Sequence, residues 1–554
     1  MTLTRAQKVF LLLLLGIFFV FSFNQIRDFD TFYHLSAGRL MVETRSVPTT
    51  DSFTFTNPGG RWISHEWLIQ ILFYLVIVAF GPWGLITGIA LLGTLTYYLV
   101  FLLARRWGAH PYWALAVLFP VAYLTLEQWV VRPQVLSYFL LAAAVLLLDS
   151  YWRWPKTAYL VGLVFLIWFW ANAHASVLLG LAAICWYGLA DILKSKLRRW
   201  GAPALSTRER RRFIYAGLAA LVFAFLNPNT YQSVFYYYFI RDTHALLNVA
   251  EWRSLLDFLA IPQAKLFLAL MTAVDLLLVF KFLHDRKPHL TRTGLVLGVS
   301  LMPLLAIRHV GYFPLVAAPL LATELSQSGV FAKLAARLNA RAFRRIGVAA
   351  AAILGIALLS RGLLAWPREP VGTHILATQA VDFLGQTGIA GPGFNFAHDG
   401  GYLEWRLYPK YKVFLDGRAE TSAGRPAQDF LTIAQMRPGW EQLAFDHYRL
   451  NYFLLWYRQP LDGVVAPLQR ALIEKHNFRL VYWDDAAILL VRNTPENRVV
   501  IDQYGIKIVN PFLDPTSIPE DKQTEAEKEM RSLLARSPDS AMLRAYAELL
   551  RTAN

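Results

Sequence analysis

The sequence predicts a polytopic α-helical membrane protein with a C-terminal extramembrane α/β domain and a terminal helical hairpin. Three observations lead to this fold class. Hydrophobic residues make up 56% of the 554 residues and charged residues only 17%, a composition that soluble chains of this length rarely have. Long apolar runs fill the first two thirds of the chain, as membrane-spanning helices require. From about residue 366 those runs stop, and shorter strand-like runs begin.

Apolar segments within residues 1–365 predict about 11–13 membrane spans, since each span needs about 20 predominantly apolar residues. Several segments are shorter than this, and flanking Trp and Tyr residues are expected to complete them at the membrane interfaces. The segments are 9–23, 67–80, 84–104, 112–127, 134–149, 157–171, 175–193, 213–226, 264–282, 292–306, 310–324 and 346–363.

Basic residues cluster in short loops between the apolar segments and carry much of the net charge of +16. Such clusters mark cytoplasmic loops, so this charge requires no nucleic-acid partner. Arg5 and Lys8 place the N-terminus in the cytoplasm and the first loop, 24–66, outside. The cytoplasmic clusters are 194–212, 281–291 and 325–345, which puts 128–133, 172–174, 227–263, 307–309 and everything after about 364 on the extracytoplasmic face.

These two counts disagree by one membrane crossing between residues 24 and 105. The simplest resolution is that segment 67–80, with only about 14 residues, is re-entrant or lies in the interface. A missed span is the alternative.

The composition after residue 366 predicts a separate α/β domain at about 366–510. Pro367 and Pro370 mark its start. Strand-like runs at 412–415, 452–456 and 487–491 alternate with helix-like stretches, which is typical of an α/β arrangement. Residues 511–554 form a linker and two amphipathic helices around Ser537-Pro538-Asp539, and they resemble a single tetratricopeptide-type hairpin.

Polar residues that are costly near a membrane gather on the predicted outer face. Two carboxylates spaced like Asp28 and Asp30 can hold a divalent cation, or one of them can deprotonate an acceptor hydroxyl. Arginines bind phosphate through paired hydrogen bonds, so three outer arginines are candidate phosphate ligands. The candidates are Asp28, Asp30, Tyr33, His34, Asp51, His65 and Glu66 in the first loop, and Arg132, His174, Glu251, Arg253, Arg308 and His309 in later loops.

Each candidate also has a purely structural interpretation. Asp28 and Asp30 are compatible with capping a helix that starts at Thr31. Arg132 and the Arg308-His309 pair are compatible with anchoring at the membrane interface. His174 is compatible with a hydrogen bond between helices. The Gly400-Gly401 and Asp416-Gly417-Arg418 turns are either structural or acceptor-binding.

The chain resembles GT-C type integral-membrane glycosyltransferases, which include protein O-mannosyltransferases, aminoarabinose transferases and oligosaccharyltransferase catalytic subunits. The shared features are an acidic motif directly after the first span and a soluble domain after the last. Within that superfamily the chain resembles a large bacterial group. The matching stretches are Asp28-Phe29-Asp30-Thr31-Phe32-Tyr33-His34, Val47-Pro48-Thr49-Thr50-Asp51, His65-Glu66-Trp67, Arg132-Pro133-Gln134, Asn172-Ala173-His174, Asn227-Pro228, Glu251-Trp252, Arg308-His309, Asp399-Gly400-Gly401 and Asp416-Gly417-Arg418.

The resemblance implies inverting transfer of a sugar from a polyprenyl-phosphate or -diphosphate donor to a glycan, lipid or protein acceptor. It implies that a first-loop aspartate is the base or a metal ligand. Asp30 is slightly favoured over Asp28 because it adjoins Tyr33-His34. Dependence on a divalent cation, Mg or Mn, stays open, because members of the superfamily differ in this respect. The resemblance also implies a multi-pass protein of the bacterial inner (cytoplasmic) membrane.

Two other functions compete with glycosyl transfer. A transporter of lipid-linked saccharides typically has polar groups near the membrane midplane and internal repeats, and the sequence shows neither. A non-catalytic assembly or scaffold protein would use the C-terminal domain to hold its partners.

Overall fold

The computed structural model describes residues 4–197, 205–284, 289–329, 355, 356, 360, 363, 366–456 and 462–552. The predicted span at 346–363 and most of the basic cluster at 325–345 fall outside these residues. The helices of the first part are α1 Arg5–Ser22, α2 Asp30–Thr44, α3 Trp67–Trp107, α4 Pro111–Leu124, α5 Gln134–Arg153, α6 Thr157–Ala173, α7 Val177–Leu197, α8 Thr207–Ala224, α9 Tyr231–Val234, α10 Tyr236–Leu246, α11 Pro262–His284, α12 Leu290–Ser300, α13 Met302–Leu305 and α14 Tyr312–Gln327.

Apolar helices dominate this first part, as a membrane helical fold requires. Four helices among the described residues are long and apolar enough to cross a membrane by themselves: Trp67–Trp107, Gln134–Arg153, Val177–Lys196 and Pro262–His284. Gln7–Ser22, Pro111–Leu124, Thr157–Ala173 and Leu290–Leu305 are shorter apolar helices. The expected total of 11–13 spans stays a prediction.

Helix α3 joins two segments that the sequence suggested as separate spans. It bends at Gly81, whose φ of +66° and ψ of −173° are not helical, directly before Pro82. Before the bend it lies against α2, where a Cβ added to Gly38 would come within 2.1 Å of the Gln70 carbonyl oxygen. Beyond the bend α3 runs antiparallel to α1, with Phe18 against Tyr97 and Phe23 against Trp83. Segment 67–80 therefore packs against α2, and its re-entrant or interfacial position stays a prediction.

Buried aromatic residues connect the end of α1 to the loop before α5. The Phe18 and Tyr97 ring centroids are 4.3 Å apart, and the Trp129 indole nitrogen donates to the Tyr97 hydroxyl at 2.8 Å. The Thr31 hydroxyl donates to the Val131 carbonyl at 2.9 Å, which ties the start of α2 to the same loop. These contacts hold the first loop beside residues 128–133.

The C-terminal part is an α/β domain built on a four-stranded sheet in the order β1-β2-β4-β3. Strand β1 runs parallel to β2, and the other neighbours are antiparallel. The strands are β1 Gly393–Asn395, β2 Tyr452–Trp456, β3 Phe478–Trp483 and β4 Ala487–Arg492. The helices are α15 Thr378–Thr387, α16 Ala397–Leu407, α17 Arg425–Ala434, α18 Asp462–Lys475, α19 Arg498–Tyr504, α20 Gln523–Arg536 and α21 Ala541–Thr552.

Two of the three expected strands are confirmed, at 452–456 and 487–491, and the third is wrong. Residues 412–415 contribute an isolated bridge from Val413 to Thr54 of the first loop. Val413 donates to the Phe53 carbonyl at 3.0 Å and accepts from the Phe55 amide at 3.1 Å. The run is apolar because it docks the domain onto the first loop rather than joining the sheet.

The last two helices pack into the core of this domain. Met530 and Leu533 of α20 and Leu543 of α21 belong to the same buried cluster as Phe453 of β2. The expected kinship with tetratricopeptide hairpins stays a prediction.

A buried ion-pair network joins the C-terminal domain to the first loop. The Arg418 guanidinium donates to the Asp51 carboxylate at 2.9 Å. It also donates to Asp416, with Arg418 Nε 3.0 Å from Asp416 Oδ2. It also lies over the Trp62 ring, 4.3 Å from its centroid. Burial, together with Asp416, raises the pKa of the neighbouring Glu404 well above its usual range. Asp51, a candidate site residue in the sequence, therefore serves the domain interface.

Replacing Arg418 with Ala is expected to lower the free energy of unfolding by about 3–5 kcal/mol, because the buried carboxylates lose their counter-charge. Arg425→Ala is the matched control, since Arg425 is 70% exposed in its pair with Asp429, and it should change stability by less than about 0.5 kcal/mol. Thermal denaturation of the purified proteins in detergent measures both. Superimposable unfolding curves for the two variants would contradict the prediction.

Candidate active site

Asp28 and Asp30 flank the beginning of helix α2. Asp30 is its first residue, and the Asp28 carboxylate accepts the Asp30 amide hydrogen at 2.9 Å. Asp28 therefore does satisfy one free amide at the start of the helix, as the capping alternative supposes. Both carboxylates nevertheless reach one common partner, the side chain of Arg132.

The Arg132 guanidinium meets three carboxylates, one through each of its nitrogens. Its Nε lies 2.6 Å from Asp28, its Nη2 lies 2.7 Å from Asp30, and its Nη1 lies 2.7 Å from Glu251. These partners come from the first loop and from the short helical turn Ala250–Trp252. Arg132 precedes Pro133, which keeps its backbone out of the following helix and at the mouth of α5.

Arg308 is held on the other side of Glu251. Its Nη1 lies 3.1 Å from Glu251 Oε1, and its Nη2 donates to the Gln134 side-chain oxygen at 2.6 Å. Its guanidinium lies over Trp252, 4.4 Å from the ring centroid. Glu251 thus bridges two arginines, and the cluster has two positive groups against three carboxylates.

The carboxylates of this cluster differ in their affinity for a proton. Burial raises the pKa of Asp30 to about 7, and Asp28 and Glu251 add to this shift while Arg132 opposes it. Burial would also raise the pKa of Glu251, but Arg308 and Arg132 together hold it at about 2. Asp30 is consequently a carboxyl group that can exchange a proton near neutral pH.

A cavity of about 840 Å³ opens beside the cluster. Its polar lining includes Asp28, Arg132, Glu251 and Arg308, together with Asn24, Glu127, Gln128, Gln134 and Gln263. The remaining wall is largely apolar and comes from the end of α1, the loop after α4 and the start of α11, including Phe21, Leu124, Val130, Phe258, Ile261 and Phe267. The cavity can accommodate an amphipathic molecule with an anionic head.

Three histidines surround Glu66 next to this cluster. His34, His65 and His174 each place a ring nitrogen 3.4–3.5 Å from the Glu66 carboxylate. Burial disfavours a charge on His65, but Glu66 raises the pKa of His65 above its usual value. Burial lowers the pKa of His34 to about 4, so His34 is neutral near pH 7. Tyr33 adjoins the group, with its ring centroid 4.0 Å from that of His34.

The structure does not bring every predicted residue to the cluster. Arg253, expected to bind phosphate, is 44% exposed, pairs with Asp257 at 3.6 Å and lies over Phe258. Arg253 follows the short turn Ala250–Trp252 that carries Glu251 and is not part of it. His309 lies beside Arg308, and its Nδ1 is 3.4 Å from the Met302 carbonyl oxygen.

The C-terminal domain contributes residues that sequence reasoning missed. His398 and Trp456 face Phe29, with ring-centroid distances of 4.7 and 5.8 Å. A Cβ added at Gly417 would lie 2.4 Å from the Asp30 carboxylate and 2.8 Å from the Tyr33 ring. At Gly417 the backbone of the Asp416-Gly417-Arg418 turn thus lies close to Asp30. Gln134, which binds Arg308, ends the matching stretch Arg132-Pro133-Gln134, whereas His398 and Trp456 carry no local signal.

Asp28 and Asp30 are the residues that would bind a divalent cation. Asp28 and Asp30 both direct carboxylate oxygens at Arg132, so a guanidinium already lies between them. Across the part of the chain that the structure describes, no group of three or more His, Cys, Asp or Glu side chains is arranged to hold a metal ion. The residues present therefore do not fit the Mg or Mn site that the sequence left open.

Comparison with known proteins identifies the fold. No family model matches the chain, and no curated protein matches it. The oligosaccharyltransferase of Archaeoglobus fulgidus superposes with a TM-score of 0.56 and 13% identity, covering 88% of this chain and 74% of that chain. A structure of the same enzyme in complex with Zn and sulfate gives 0.53 and 13%, covering 99% and 85%.

ArnT from Cupriavidus metallidurans, bound to undecaprenyl phosphate, superposes with a TM-score of 0.52 and 16% identity. This match covers 88% of the chain and 98% of ArnT. Likeness at such low identity shows the fold alone. The chain therefore has the fold of these oligosaccharyltransferase and ArnT structures, as its resemblance to GT-C type glycosyltransferases predicted.

Proposed function

We propose that this protein is a membrane glycosyltransferase that moves a sugar from a polyprenyl-phosphate-linked donor to an acceptor hydroxyl, with inversion at the sugar. The observation that carries the proposal is the cavity whose apolar wall ends at Arg132, Arg308, Asp28 and Glu251. Such a cavity suits a prenyl chain followed by a phosphate. The similarity of fold to an ArnT structure bound to undecaprenyl phosphate supports the same ligand chemistry.

In the proposed reaction Asp30 is the general base. The acceptor hydroxyl gives its proton to the Asp30 carboxylate while its oxygen attacks the anomeric carbon of the donor sugar. The bond from that carbon to the phosphate oxygen breaks, and its electrons stay on the departing polyprenyl phosphate. Arg308 and Arg132 stabilise the charge that develops there. Asp28 holds Arg132 and the Asp30 amide in place.

We propose that the site lies on the extracytoplasmic face of a bacterial inner membrane. The basic clusters assign the first loop, 128–133, 227–263 and 307–309 to that face. In the structure the same four segments supply the side chains around Arg132 and Arg308. The charge pattern and the packing are independent observations, and both put these segments together.

Asp30→Asn is expected to reduce transfer by about 10²–10⁴-fold, the usual contribution of a general base. Asp28→Asn should cost about tenfold, because it weakens a charged hydrogen bond to Arg132 without removing the base. Transfer of labelled sugar from a polyprenyl-phosphate-linked donor to acceptor measures both. Asp382→Asn, which alters a surface pair with Arg406, is the control. Wild-type rates for both site variants would rule out the assignment.

The pH dependence follows from the pKa of Asp30, about 7. A base works only when deprotonated, so kcat/KM should rise with pH up to about 7 and level off above it. Acid should therefore lower kcat/KM about tenfold for each pH unit below the pKa. The residual activity of Asp30→Asn should lack this rise, and an unchanged profile in that variant would assign the titration to another group.

Gly417→Ala is expected to lower kcat by at least about tenfold, because the added methyl group would displace Asp30 and Tyr33 and misplaced catalytic groups lose rate steeply. Gly463→Ala is the control, since a Cβ at this exposed helical position meets no atom within 4 Å. Steady-state kinetics and thermal denaturation of both variants separate a catalytic effect from general destabilisation. A normal kcat for Gly417→Ala would show that the C-terminal domain does not position Asp30.

A further inference from the structure

Glu251 occupies the place where the two site arginines meet. One of its oxygens lies 2.7 Å from Arg132 and the other lies 3.1 Å from Arg308. Within the described chain, these two guanidinium groups supply its side-chain hydrogen bonds. A phosphate group binds paired arginines in the same manner, through separate oxygens on each guanidinium. The Glu251 carboxylate is therefore an anion that already fills a phosphate-like position.

Among the three carboxylates of the cluster, Glu251 is the most exposed. Asp28 is only 13% exposed and accepts a backbone amide hydrogen as well as Arg132. Asp30 is fixed at the first turn of α2. Glu251 is 32% exposed, borders the cavity and projects from a three-residue turn, Ala250–Trp252. Its longer side chain can swing away without moving a helix.

The charge of the cluster limits what can take the place of Glu251. With all groups ionised, two arginines face three carboxylates. An anion with one negative charge that replaces Glu251 leaves this balance unchanged. An anion with two negative charges would make the net charge of the cluster more negative than it is with Glu251. Like charges in a partly buried site repel strongly.

We propose that Glu251 is the resident anion of the donor site and that the donor phosphate replaces it one for one. This inference rests on the proposed function and names the donor class: a sugar linked to a polyprenyl monophosphate, whose phosphodiester carries one charge. A polyprenyl diphosphate donor, with two charges, is disfavoured. Cleavage of the sugar bond gives the leaving phosphate a second charge, so the return of Glu251 to the arginines promotes product release.

The test measures binding of two short-chain probes to the full-length protein purified in detergent. Methyl farnesyl phosphate carries one negative charge, and methyl farnesyl diphosphate, also a diester, carries two. Wild-type protein is expected to bind the monophosphate probe about tenfold more tightly. Glu251→Gln is expected to bind both probes at least about tenfold more tightly than wild type, because no resident carboxylate then competes with the probe for the two arginines.

Asp257→Asn is the matched control, because Asp257 lies in the same loop, carries the same charge and pairs only with the exposed Arg253 among the described residues. It should bind both probes as wild type does. Farnesyl phosphate should also inhibit transfer more strongly in Glu251→Gln than in wild type, as expected when product release slows.

Three results would overturn the inference. They are a wild-type preference for the diphosphate probe, equal affinity of wild type and Glu251→Gln, and weaker binding by Glu251→Gln, which would mean that Glu251 orients the arginines. Transfer that requires Asp30 but uses a diphosphate donor would refute this inference and leave the proposed function intact. Failure of wild-type protein both to bind either probe and to transfer sugar would refute the proposed function as well.

Discussion

The contact of the Arg132 guanidinium with three carboxylates is the interaction on which the site depends. Each nitrogen pairs with a different acid, at 2.6–2.7 Å. Without this cation, Asp28, Asp30 and Glu251 would repel one another at the edge of a low-dielectric region, where an unpaired charge is very costly. Arg132 therefore fixes the first loop, the mouth of α5 and the turn at 250–252 relative to one another.

The same guanidinium explains the chemical character of the site. It lies between the two first-loop aspartates, a position in which an acidic pair could otherwise bind a divalent cation. It does not neutralise Asp30 fully, because burial and the neighbouring acids keep the pKa of that carboxyl at about 7. We propose that the two acids have separate roles, with Asp28 as a structural partner of the arginine and Asp30 as the group that takes up a proton.

The C-terminal domain closes the site from the other side. Its position depends on the buried Arg418, which joins Asp416 to Asp51 of the first loop, and on Gly417, which lets the backbone approach Asp30. His398 and Trp456 reach Phe29, between the two aspartates, through the same docking. The domain therefore contributes directly to the geometry around Asp30.

The sequence by itself determined the membrane helical class, the presence of a C-terminal α/β domain and two of its strands, because hydropathy and strand periodicity are local properties. It also singled out Asp28, Asp30, Arg132, Glu251 and Arg308, which the structure brings together. Only the tertiary structure decided that Arg253 pairs with Asp257 instead of joining the cluster, that 412–415 contacts the first loop, and that α3 bends at Gly81. Those outcomes depend on helix packing and on which loops meet, and no short window of sequence carries that information. The physical reason is that a charge acquires its partner from residues a hundred positions away, as Asp28 does from Arg132.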